Sequence, residues 1–455
     1  MKKYGLPLVF FALLAMALPE VLPQEKGTTV KVEIGPNVRA SDKGVSHVEP
    51  YIAAHPEDSH NLIIVVSHNV EGKGLIAETF TTSDAGKTWG VSPLPQLREA
   101  LLANKLKYAL DVWVTYAPDG IAYVSTLADV KIQERDLDQI LVYRSEDRGK
   151  TWQGPTLIPP RGSFDRPLMV AAGTKNNKRI FVVASDGRGF AVLRSDDGGL
   201  SFKTTAFIEP DNLAHQPKNP LLLPDGSLLV PYNDYPHISV KEFEEIRREP
   251  RKQRLNSSRI YVVRSRDEGL TFDLPQFVAD IPRMIPDGLE MAVDLSNSRF
   301  RGRIYAAWNG EREDSRNMTI AYSTDAGKNW LKSATFRAEN AGPAFFPTIA
   351  VSADGVVGVS WLQHEKDEGK FYCYRIYFAA SIDGGESFTP PQVVSEVVSC
   401  PDSVSNKETI GRWARGADYM GLAPAADGSF HPVWVDARDG AFQVYTARIK
   451  VRKGI

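Results

Sequence analysis

Thr82-Ser83-Asp84-Ala85-Gly86-Lys87-Thr88-Trp89 returns as SEDRGKTW at 145–152, SDDGGLSF at 195–202, SRDEGLTF at 265–272, STDAGKNW at 323–330 and SIDGGESF at 381–388. Each copy has Ser or Thr first, Asp third, Gly fifth and Trp or Phe eighth. An Asp side chain accepts hydrogen bonds from backbone N–H groups ahead of it, and Gly takes the positive φ that a side chain would penalise. The pattern predicts a tight turn closed from within, whose final aromatic wedges against a neighbouring sheet. Identical turns repeated along a chain cannot all line one site, so the octapeptides read as structural rather than catalytic or calcium-binding.

Outward from each copy the chain repeats an apolar strand, an Asp-Gly or Asn turn, two more strands, the octapeptide and a fourth strand. LLLPDGSLLVPY (221–232) and TIAVSADGVVGVSWL (348–362) show the first hairpin, with Asp225-Gly226 and Asp354-Gly355 at the turns. One four-stranded meander per repeat is a propeller blade. A seventh unit at 419–451 lacks the octapeptide and supplies three strands, while TTVKVEIG (28–35) is a lone strand near the beginning of the chain. Pairing the two closes the ring and removes an exposed edge. The expected fold is an all-β propeller of seven four-stranded blades closed by an N-terminal strand; six blades with an irregular terminal region is the alternative.

The six octapeptides resemble those of the Asp-box (BNR-repeat) proteins of the sialidase or neuraminidase superfamily, over nearly all of residues 28–455. EPYIAAHP at 49, DRPLMVAA at 165 and ADYMGLAPAADGSFHPVWVDARDG at 417–440 look like its bacterial sialidase-like branch. Such motifs specify fold better than activity.

With 54 basic and 56 acidic residues the net charge is only -2, so no global field recruits nucleic acid or an anionic membrane. Lys2 and Lys3 precede an apolar run from Leu6 to Leu18 that contains Ala15-Met16-Ala17. This reads as a secretory signal within residues 1–24, giving an extracytoplasmic protein, periplasmic or extracellular, with no membrane span after cleavage; a single membrane anchor is the alternative, against which stand the short run and Pro7. Residues 28–455 then form a single propeller domain. Cys373 and Cys400 are the only cysteines; a disulfide and two buried thiols are both open readings.

In a propeller, the upper starts of the inner strands and the loops between second and third strands share one face; the octapeptides lie on the other. The upper starts carry Glu49, Asp111, Asp165 with Arg166, Lys218, Asp287 with Glu290, Phe346, and Asp418 with Tyr419. Converging carboxylates raise one another's pKa, which suits a general acid. The second loops add His68, Asp186, Arg188, Asn233, Asn309, His364, Asp436 and Arg438, and Arg412 and Arg415 precede the last blade. Several arginines around one mouth suit a carboxylate ligand. Each has a plainer reading: Asp436 and Arg438 as a ring-closing ion pair, Tyr419 as a core aromatic, and His68 and His364 as loop-packing residues without a readable metal partner. An insertion at 236–257, with helical composition from Val240 to Arg248, is either a lid or a solvated helix.

Three functions follow as expectations. In a retaining sialidase the resemblance implies three arginines on the substrate carboxylate, a Tyr assisted by a Glu as nucleophile and an Asp as acid and base. Here those roles fall to Arg166, Arg412 or Arg415, and Arg438, to Tyr419, and to Asp165 or Asp111, with Glu290, Glu49 and Asp418 beside them; the Phe-Arg-Ile-Pro phrase of the family is absent. The second is a hydrolase or lyase for another sugar, and the third a non-catalytic propeller that binds glycan or protein. The expected partner is a glycan or glycoconjugate and no cofactor is expected, although carboxylates spread over several blades leave a channel calcium unreadable.

Overall fold

The computed structural model describes residues 30–70, 73–132, 135–158, 164–172, 178–186, 189–210, 214–235, 258–281, 288–309, 317–337, 342–365, 373–405 and 413–453. The leader, Arg188, the 236–257 insertion, Asp287 and Arg412 lie outside them.

Seven antiparallel sheets follow in chain order around a ring. Their inner strands are His47–Ala54, Leu106–Tyr116, Phe164–Ala172, Ala214–Pro217 with Leu221–Leu222, Leu289–Val293, Ala344–Val351 and Gly421–Pro424. Each touches the next blade, and the seventh returns to the first. Their Val, Ile, Leu and Ala residues pack into clusters that span neighbouring blades, such as the one joining Ile63, Val65 and Val114 to Val124 and Trp152. The fold is the seven-bladed propeller expected from the repeats. Among the described residues the single α-helix is Leu97–Leu102, between blades one and two.

The octapeptides are the turns that their chemistry predicts. Asp84 Oδ1 accepts from the backbone N–H groups of Lys87 and Thr88, and Oδ2 accepts from the Thr88 hydroxyl at 2.6 Å. Asp267 repeats the arrangement, and bonds from the Thr271 side chain and backbone hold its carboxyl down at about 2. Each turn also leans on the preceding blade. Trp152 Nε1 donates to Thr79 Oγ1 at 3.1 Å, and a Cβ at Gly149 would lie 2.5 Å from Ile63 Cδ1. Gly149 therefore serves both the turn, at φ 79°, and the close approach of two blades.

Closure uses both ends of the chain. Val30–Ile34 pairs antiparallel with Ile449–Lys453, the expected union of the lone strand with the last unit. The fourth strand of blade seven is Val38–Arg39, a two-residue strand paired with Tyr445 and Thr446 that no sequence pattern announces. The Arg438–Asp436 ion pair at 2.7 Å lies at this seam, where Arg438 also donates to Asn37 Oδ1 and stacks on Tyr445. Cys373 and Cys400 form a disulfide, which ties the start of the third strand of blade six to the segment leading to blade seven.

Candidate functional site at the mouth of the ring

Four inner strands begin with the same irregularity. Between Val48 and Tyr51, Leu110 and Trp113, Asp165 and Leu168, and Phe345 and Thr348, the inner strand advances three residues while its partner advances two. Each is a β-bulge, and in each the extra residue sits at positive φ without being glycine: Glu49 at 57°, Asp111 at 55°, Arg166 at 52° and Phe346 at 49°. Such a conformation costs of order 1–3 kcal/mol and persists only where the surroundings impose it. Here it recurs at equivalent points of blades one, two, three and six. The bulge re-aims one side chain at the upper end of each strand, and three of the four re-aimed groups are charged.

The upper ends of the inner strands and the residues beside them bring together Tyr51, Trp113, Arg166, Lys218, Glu290, Phe346 and Tyr419 around one cavity at the mouth. Tyr51 stacks on Trp113 with ring centroids 3.6 Å apart, and its hydroxyl donates to Glu290 Oε1 at 2.8 Å. Burial raises the Glu290 carboxyl to about 8, despite the bond from Tyr51 and the charge of Arg166. The Tyr51 hydroxyl is pushed well above its ordinary value, first by burial and then by the neighbouring Glu290 charge and hydrogen bond.

The Asp111 carboxyl is raised well above the usual range, first by burial and then by the charges of Glu49 and Asp165 and the adjoining Asp165 carboxyl. Arg166 is 8% exposed, its guanidinium lies 4.7 Å above the Tyr419 ring, and its charge acts on Tyr51, Asp111, Lys218 and Glu290 alike. Lys218 is buried, donates to Gln216 Oε1 at 2.9 Å, and is driven well below its ordinary value by burial and then by Arg166. The mouth thus sets the Arg166 guanidinium beside two carboxyls, Asp111 and Glu290, that burial raises above their ordinary range.

Other expected residues have different neighbours. Tyr419 donates to the Val112 carbonyl at 3.1 Å, so its hydroxyl engages backbone rather than a carboxylate. Glu49 accepts from Trp413 Nε1 at 2.9 Å and from Ser67 Oγ at 3.5 Å, joining blade one to the lead-in of blade seven. Arg415 donates to His364 Nε2 at 3.2 Å and stacks on Phe345 at 3.8 Å, at the blade-six rim. Arg438 lies at the outer seam, and Asp418 is half-buried beside Tyr419. Tyr51 and Trp113 escaped the reading of inner-strand starts because each stands two residues beyond a charged start. Their signal is faint: an aromatic two residues after Glu49 and after Asp111.

No family model and no curated protein matches the chain. Solved structures with a similar course include a protein of unknown function from Dyadobacter fermentans, 13% identical over 92% of this chain and 99% of that one, TM-score 0.46. The α-L-arabinofuranosidase Arb93A of Fusarium graminearum is 14% identical over 74% and 93%, TM-score 0.46. The NanB sialidase of Streptococcus pneumoniae is 12% identical over 90% and 70%, TM-score 0.43.

Proposed function

We propose that this chain is an extracytoplasmic glycoside hydrolase that releases sugar ends at the mouth of its ring, with Tyr51 as nucleophile and Glu290 as its base. The observation that carries the reading is the hydrogen bond from Tyr51 to Glu290 at the mouth that Asp111 shares, with the charge of Arg166 acting on all three. A phenol is a poor nucleophile unless a base takes its proton as the bond forms. Glu290 does so in its ionised form, which a carboxyl near 8 adopts as the pH rises toward and past that value, so turnover should climb on the alkaline side. Attack of the Tyr51 oxygen on the anomeric carbon breaks the glycosidic bond, and the proton held by Asp111 passes to the departing oxygen. Water then takes the place of Tyr51 after losing a proton to the same carboxylate, and the phenol recovers its own from Glu290.

Arg166 favours sugars with a carboxylate. A sialic acid specificity has weaker support, because among the described residues Arg438 is engaged at the seam and Arg415 at the blade-six rim, which leaves Arg166 short of a three-arginine clamp there. The same shortage favours, as the second reading, a propeller that binds an acidic glycan without cleaving it. The disulfide fits an oxidising compartment. A panel of fluorogenic glycosides, sialosides and uronides included, separates the readings when run with the protein and its Arg166→Ala variant. Turnover that disappears in a folded variant supports the hydrolase; no turnover by the parent protein, with binding retained, supports the second reading.

A further inference from the structure

His47, His68 and Glu78 meet on one face of blade one, clear of the Tyr51–Glu290 pair. His47 stands directly opposite His68 on the neighbouring strand, and Glu78 is the diagonal neighbour of His68 on the strand after that. Their three atoms form an equilateral triangle. His47 Nε2 to Glu78 Oε2, His68 Nδ1 to Glu78 Oε2, and His47 Nε2 to His68 Nδ1 are all 3.3 Å.

That spacing has a specific meaning. A tetrahedral zinc with nitrogen and oxygen ligands at about 2.0–2.1 Å has ligand atoms about 3.3–3.4 Å from one another, so the three atoms trace one face of the tetrahedron. The other ring nitrogen of His47 faces the Val45 carbonyl at 3.1 Å, an acceptor that makes Nδ1 the N–H and turns the Nε2 lone pair toward the triangle. The His47 side chain is fully buried, whereas those of His68 and Glu78 are 12% and 16% exposed, so the fourth position opens toward water.

We propose that these three side chains bind one Zn2+ per chain, with a water in the fourth position. Two imidazoles and a carboxylate on three adjacent strands suit a borderline divalent ion rather than calcium, which takes more oxygens than this triangle offers. The ion clamps blade one beside the ring seam. The His47 N–H donates to the Phe442 carbonyl at 2.8 Å, and Gln443 Nε2 donates to the Val45 carbonyl at 2.6 Å, so fixing His47 also fixes the last blade against the first.

The test needs no substrate and is independent of any hydrolase activity. Protein stripped with a chelator and dialysed is titrated with Zn2+ against a chromophoric competitor, and in parallel with Co2+, whose visible absorption intensifies in tetrahedral sites. Expected are one equivalent bound, a tetrahedral cobalt spectrum, and a rise in Tm on adding zinc. Glu78→Gln and His68→Gln alter the two more accessible ligands, and each should weaken zinc at least tenfold and abolish the Tm response while circular dichroism remains that of the parent. Absence of stoichiometric zinc and of a tetrahedral cobalt spectrum in the parent protein would overturn the site and leave a hydrogen-bonded trio. Zinc affinity equal to the parent's in both variants would overturn it too; if either variant fails to fold, the parent's cobalt spectrum decides.

Discussion

The Tyr51 hydroxyl and the Glu290 carboxylate, 239 residues apart in the chain, are joined at 2.8 Å across the mouth of the ring. Blade one supplies the phenol and blade five the acid. Burial, which makes each harder to ionise alone, makes a proton held between them easier to pass from one to the other.

Tyr51→Phe is expected to lower kcat by about 10³-fold or more with little change in KM, because the lost group acts on the reacting bond rather than on binding. Glu290→Gln should have an effect of similar order, and the double variant should be little worse than either single one. Tyr419→Phe, whose hydroxyl is tied to a carbonyl, should stay within about tenfold of the parent. Steady-state kinetics on whichever glycoside the panel identifies checks all four; a Tyr419→Phe loss exceeding that of Tyr51→Phe would transfer the nucleophile to Tyr419.

Glu290 also predicts a pH dependence of stability. Its carboxyl rises from 4.5 to about 8 on folding, so between those values the folded state holds a proton that the unfolded chain has released. The contribution is fully present below about 4.5, declines as pH rises through this window, and is lost above about 8. At about 1.4 kcal/mol per pH unit the decline amounts to a few kcal/mol. Urea unfolding of the parent and of Glu290→Gln at pH 5, 6.5 and 8 should give curves that differ in slope, the variant losing less stability with rising pH; parallel curves would show that Glu290 keeps an ordinary pKa in the folded protein.

The disulfide closes a loop of 27 residues, for which the chain-entropy argument gives about 3 kcal/mol. Cys373→Ser with Cys400→Ser should therefore unfold at a lower urea midpoint with an unchanged slope. A similar loss should follow reduction of the parent protein. An unchanged midpoint would mean that the backbone bonds of Tyr374 with Ser399 hold this segment without the sulfur bridge.

The blades were legible because their signal is local: within eight residues Asp84 bonds ahead, Gly86 turns the chain and Trp89 supplies the wedge. The face that carries the mouth was legible too, since the starts of the inner strands, which a propeller gathers on one face, hold Glu49, Asp111, Arg166 and Glu290. What could not be read is what the bulges do. One added residue changes which side chain points inward, so Tyr51 joins Glu290 while the expected Tyr419 turns to Val112. Arg438 was placed by its loop but is claimed by Asn37, from a segment whose pairing rests on two residues. The meeting of His47 and His68 with Glu78 depends on register between strands, which composition does not encode.

Because Val38–Arg39 completes the sheet built by Phe430–Asp436 and Gln443–Thr446, and Val30–Ile34 pairs with Ile449–Lys453, the first described strands have no partner until those segments exist. A ribosome making this protein releases a beginning that must wait for its end. The finished ring is thus a latch whose two halves, Val30–Arg39 and Gln443–Lys453, are made at very different times, and clipping either one frees both. Resistance to proteases that trim chain ends should consequently arise all at once, on closure, rather than blade by blade.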